Sequence, residues 1–131
     1  MKIALMSDLH LSVQPMPLPK LDVDVVVIAG DVHRPAGAIE WARQFGKTPT
    51  LFVAGNHEFY GGDLVGTMTA LREQAEGSSV RVLEHNVWVH KGARFLGCTP
   101  WSDYRLFDSA EHREQGLQQA GATRIQADRA E

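Results

Sequence analysis

Three apolar runs in this chain break off in the same way. "KIALMS" (2–7) runs into Asp8-Leu9-His10, "DVDVVVIAG" (22–30) into Asp31-Val32-His33, and "TPTLFVAG" (48–55) into Asn56-His57-Glu58. The middle run is Val-rich, the pattern of a strand covered on both faces of a parallel sheet. A plain turn needs a glycine and an asparagine. It does not need imidazoles and carboxylates. In open α/β sheets, ligands sit beyond the carboxyl ends of the parallel strands. Asp8, His10, Asp31, Asn56 and His57 are therefore expected to converge, although about 25 residues separate each cluster from the next.

The remaining text supplies the other elements of an α/β fold. "VQPMPLPK" (13–20) holds three prolines in eight residues and reads as loop. "GAIEWARQFG" (37–46) places Ala38, Ile39, Ala42 and Phe45 at helical spacing. "GDLVGTMTALREQAEG" (62–77) places Leu64, Met68, Leu71 and Ala75 on one stripe, with Asp63 as its N-cap. "VRVL" (80–83) is a fourth strand, and "NVWVH" and "ARFLGC" pair as a hairpin across Lys91-Gly92. Residues 109–131 are rich in Gln, Glu, Ala and Arg and read as a surface helix to about residue 120, then a tail.

Composition narrows the class. At 131 residues, 44% hydrophobic and 22% charged, the chain reads as one soluble domain with a real core. Its net charge of −3 and lack of a basic block leave no nucleic-acid-binding signature. No apolar stretch approaches a membrane span or a signal-peptide core, so a cytoplasmic protein is expected. Cys98 is the only cysteine; it permits no internal disulfide and reads as a small core residue.

The polar clusters carry the chemistry. Asp8 and His10 stand two apart and point the same way in extended chain, giving a carboxylate and an imidazole on one side. Asp31 adds a carboxylate able to bridge two ions, and Asn56 a neutral carbonyl oxygen. Such a mixed N/O set suits Mn²⁺, Fe²⁺, Zn²⁺ or Ni²⁺. Two ions about 3.5–4 Å apart can clamp the attacking and leaving oxygens of a displacement at phosphorus.

D-x-H, G-D and G-N-H-E, in this order and each at a strand end, resemble the motifs of the calcineurin-like metallophosphoesterases. The resemblance implies an α/β sandwich that binds two divalent ions with a bridging hydroxide and hydrolyses a phosphate mono- or diester. It implies that Asp8 and His10 hold the first ion, that Asp31 bridges, and that Asn56 holds the second. His57 then faces the leaving group as acid or charge stabiliser. His33 and Arg34 are candidate phosphate contacts. Glu58 is either an orienting or solvated residue or a support behind the ligands.

The family continues with a histidine at a later strand end and a Gly-His-x-His segment. Here the later histidines are His85, His90 and His112, none in such a context. The resemblance therefore assigns 1–108 to a metallophosphoesterase domain, truncated to about the first half of the fold, and 109–131 to a polar helix and tail. With the second sheet reduced to a hairpin, Val25, Val27, Leu51 and Val53, or their alternates Val26, Ile28, Phe52 and Ala54, are expected to stay partly exposed. Self-association, or a partner covering the sheet, is expected to follow. Two other classes fit the same residues: a non-catalytic protein-binding scaffold and an inactive partial product. Metal content separates the enzyme from both.

Overall fold

β2 (Val25–Ala29) has a parallel neighbour on each side in the computed structural model, which describes residues 1–102, 114–116 and 118. Those neighbours are β1 (Ile3–Met6) and β3 (Thr50–Val53); β4 (Val80–Val82) completes a parallel sheet of order β1-β2-β3-β4. The chain divides into two compact units, Met1–Thr99 and Pro100–Glu131, and the sheet lies in the first. In the second, residues 114–116 and 118 are helical. The rest of the expected 109–120 helix, and the tail, lie outside the described residues.

α1 (Pro35–Arg43) starts two residues before the apolar pattern does. Proline has no N–H to lose in a first helical turn, and its fixed φ suits that turn. α2 (Leu64–Ala75) follows Asp63, whose carboxylate accepts the Gly66 N–H at 2.8 Å as an N-cap. Both helices pack on one face of the sheet. Ile39, Ala42, Met68 and Leu71 meet Val26, Ile28, Phe52, Val80 and Val82 in one buried cluster. Thr67 is buried in that face and Leu64 is exposed, so the inward stripe of α2 starts one turn later than expected.

The opposite face corrects the expectation of an uncovered sheet. β5 (Asn86–His90) and β6 (Ala93–Gly97) form a separate antiparallel hairpin. Lys91 and Gly92 at its tip have φ of +47° and +78°, the two left-handed residues that a tight hairpin turn requires. Trp88 and Phe95, cross-strand partners on the inner side, pack on Val25, Leu51 and Leu83. Val25 and Leu51 are thus buried, Val27 and Val53 half-buried, and the alternate set lies under the helices. The gap in the cover is at β1, where Ile3 and Leu5 are 47% and 68% exposed.

Cys98 is exposed, contrary to the expectation of a core position. Alternation beyond β6 turns its neighbour Thr99 inward instead. The buried Thr99 hydroxyl donates to the Ala54 carbonyl at 2.8 Å, tying the hairpin to the end of β3. Among the described residues, no helix is long and apolar enough to cross a membrane.

The hairpin tip is also tied to the sheet by charge. Lys91 Nζ bonds the Asp24 carboxylate, which also accepts the Lys2 backbone N–H at 2.6 Å. These contacts, with Lys91 first, hold the Asp24 carboxyl down at about 2, against an ordinary 3.8. A lowered folded-state value adds stability that is complete above about pH 4 and is lost as pH falls toward 2. Urea unfolding between pH 4 and pH 2 should therefore lose stability more steeply in wild type than in Asp24→Asn. Parallel acid limbs would show that this pair does not hold the hairpin.

Candidate metal centre

The loops after β2 and β3 touch backbone to backbone. Gly30 sits at φ +85°, and a Cβ there would lie 2.6 Å from the Gly55 nitrogen and 2.7 Å from its Cα. Only glycine fits that crossing. Beyond it the chain keeps pairing. Asp8 N–H donates to the Gly30 carbonyl at 3.1 Å, His10 N–H to that of Asp31 at 2.9 Å, and Leu11 N–H to that of Val32 at 2.8 Å. Asp8, His10 and Asp31 take left-handed backbone at φ +55°, +44° and +53°. Asp and His are among the few side chains that visit this region with any frequency.

After Asn56 the chain makes a single 3-10 turn, His57–Phe59, and this turn buries Glu58 completely. One carboxylate oxygen accepts the N–H groups of Asp31 at 2.9 Å and Gly55 at 2.7 Å. The other accepts those of Val32 at 2.8 Å and His33 at 3.3 Å. One side chain thus ties the β2 loop to the β3 loop. The sequence left this role open. The legible signal was the Gly55-to-Glu58 spacing, since a Glu three residues on that returns to the first N–H is the carboxylate half of a capping box.

Three of the expected residues meet. The His57 N–H donates to Asp31 Oδ1 at 2.9 Å, which fixes that carboxylate. The rings of His10 and His57 stand edge to face, 4.5 Å between centroids. One ring nitrogen of each histidine and one Asp31 carboxylate oxygen all lie within 4.8 Å of one another, on half-buried residues. Two imidazoles and a carboxylate are a donor set for a borderline divalent ion.

The other candidates are placed around this group. Asp8 is exposed and its carboxylate accepts the Ser7 hydroxyl. Asn56 is exposed and its Nδ2 donates to the Tyr60 hydroxyl at 2.9 Å. His33 turns toward the start of α1: its ring crowds Gly37, and its Nδ1 is 3.2 Å from the Arg34 carbonyl oxygen. Arg34 is the N-cap position of α1, and its carbonyl accepts the Gly37 and Ala38 N–H groups. Neither His33 nor Arg34 belongs to the three-donor group. A cavity of about 300 Å³ between α2, β4 and the hairpin, lined by Arg72, Arg81 and Trp88 among others, contains none of these residues.

The strand-end order and this donor set agree with a family match: the model of the calcineurin-like phosphoesterases covers residues 1–108. The chain belongs to that family. No curated protein matches it.

Glu58→Gln tests the joint under this centre. The amide keeps one acceptor oxygen and turns an NH₂ toward N–H donors that need acceptors. Each buried donor left unmatched costs on the order of 1–3 kcal/mol. Urea unfolding should show a loss of at least ~2 kcal/mol with an unchanged denaturant slope. An unchanged midpoint would mean that the two loops are held by something else.

Proposed function

We propose that this phosphoesterase-family chain hydrolyses a phosphate mono- or diester at a dinuclear divalent-metal centre. The convergence of His10, Asp31 and His57 at the carboxyl ends of the sheet carries the proposal. In this reading Asp8 and His10 hold the first ion, Asp31 bridges, and Asn56 holds the second. Bound ions of this kind supply Lewis-acid activation of water and charge neutralisation at phosphorus. The chain's own residues do the rest. Asp31 is fixed by the His57 N–H, and its backbone by the Glu58 carboxylate. The His57 ring, held between His10 and Tyr60, is set to give a proton or a hydrogen bond to the departing oxygen. His33 and Arg34 follow Asp31 in the same loop after β2 and are candidate phosphate contacts.

Metal content and turnover test these roles together. After dialysis against Mn²⁺, Asp31→Ala should lose bound metal. His57→Ala should keep its metal and lose about 10²-fold or more in turnover of a chromogenic phosphodiester. If His57→Ala empties the site, His57 is a ligand and not the acid. Equal metal in wild type and Asp31→Ala would favour a non-catalytic scaffold on the same fold.

Self-association is part of the proposal. The open flank at β1 offers Ile3 and Leu5 to a second copy. Light scattering across a dilution series should show a mass that falls with concentration, and Leu5→Lys should bring the monomer at higher concentration. A single mass throughout would remove this element.

A further inference from the structure

We propose that the free edge of β4 is a docking site for an extended acidic peptide, which adds to the sheet as a further strand and sets two adjacent carboxylates against Arg72 and Arg81. This surface contains none of the strand-end donors, and the inference does not depend on the metal centre.

β4 has a strand neighbour on one side only, β3. The Ser79 carbonyl accepts the Thr50 N–H at 3.1 Å, and the Leu83 N–H donates to the Phe52 carbonyl at 2.8 Å. Alternate residues of a strand turn their backbone groups to the same neighbour, so Arg81, between these two, also faces β3. Val80 and Val82 therefore turn theirs to the open side. The Val80 N–H is taken up by the Ser78 hydroxyl oxygen at 3.1 Å. The Val80 carbonyl and both backbone groups of Val82 have no partner among the described residues. They stand on the edge that the cavity of about 300 Å³ follows.

Two cations flank that edge. Arg72 lines the cavity from α2, on the helix face of the sheet. Arg81 lines it from the hairpin face, with its guanidinium carbon 5.5 Å above the Trp88 ring. Among the described residues, neither guanidinium has a carboxylate in ion-pair distance. Glu76 is the one carboxylate on a lining residue, so the two arginines outnumber it. Unpaired backbone groups at a sheet edge take up an extended chain by strand addition. Successive side chains of that chain point to opposite faces. Two adjacent Glu or Asp residues thus send one carboxylate toward Arg72 and the other toward Arg81, and each guanidinium can hold a carboxylate through two parallel bonds. A small anion would meet the arginines and leave the backbone groups unmatched. An acidic peptide meets both.

The test is fluorescence polarisation on the full chain, with a short labelled peptide that carries an adjacent Glu-Glu pair in a Thr/Val background. Saturable binding is expected, weakening as salt rises. Changing the pair to Gln-Gln should cost about 5-fold or more in affinity. So should parting the two Glu by one Val, which puts both carboxylates on one face. One of the two Glu backbone nitrogens must face the edge, so methylating both keeps every charge and removes a strand bond; a loss of about 5-fold or more is expected again. Arg72→Glu and Arg81→Glu should each weaken binding of the Glu-Glu peptide by a similar factor. Arg81→Glu also gives up the Trp88 contact, so its thermal melt is read beside it. Arg72 is exposed on α2, and Arg72→Glu should leave the melt unchanged and decides by itself. No saturable binding overturns the inference. So does wild-type affinity in Arg72→Glu, or equal affinity for the Gln-Gln peptide. Equal affinity for the methylated peptide overturns it too, because the cavity would then hold anions without adding a strand.

Discussion

The Glu58 carboxylate is the joint on which the strand-end architecture depends. It is fully buried, and four backbone N–H groups from two loops converge on its two oxygens. A charge taken out of water is tolerated when every lone-pair direction finds a donor. The same four donors would otherwise be orphaned between two strand ends where no sheet ladder reaches them. The need is mutual: the loops require an acceptor and the carboxylate requires donors. Such a joint is geometrically narrow. It works only with Gly30 and Gly55 in contact, because the N–H groups of Asp31 and Gly55 must both reach one oxygen.

That constraint explains what was legible in the sequence. The apolar runs, the glycines and the polar residues after them could be read because each is a local pattern. Asp63 as N-cap, Lys91-Gly92 as turn and the three strand ends all follow from residues next to one another. The full burial of Glu58 could not be read, since its partners lie 25 to 27 positions away in three of four cases. The orientation of His33 was hidden for a related reason. Its spacing from Asp31 places it near the site, but its ring has a closer partner at Gly37, where the missing Cβ leaves room.

The covering of the second face shows a different limit. A count of helices leaves one side of the sheet bare, and Val25 and Leu51 on it. The hairpin closes that side with only two large side chains, Trp88 and Phe95. Aromatic residues cover area out of proportion to their number. Composition and alternation show that a hairpin exists; they do not show that its inner side spans two strands of the sheet. Arg81 on β4 extends the cover, with its guanidinium carbon 5.5 Å above the Trp88 ring.

The backbone at the site links these observations to function. Asp8, His10 and Asp31 all occupy left-handed conformations. Such residues cost on the order of 1–3 kcal/mol each and persist only where the surroundings over-determine them. Here the surroundings are the paired strand ends, Asp8 to Gly30 and His10 to Asp31, and the Glu58 joint behind them. The strain falls on side chains that the proposed centre uses as donors. An extended strand would send alternate side chains to opposite faces. Left-handed residues after β1 and β2 turn the chain there, while the loop after β3 passes through Gly55 and Asn56 into the 3-10 turn that carries His57. Folding thus carries the cost of ordering these groups, and leaves one donor atom each of His10, Asp31 and His57 within 4.8 Å of one another.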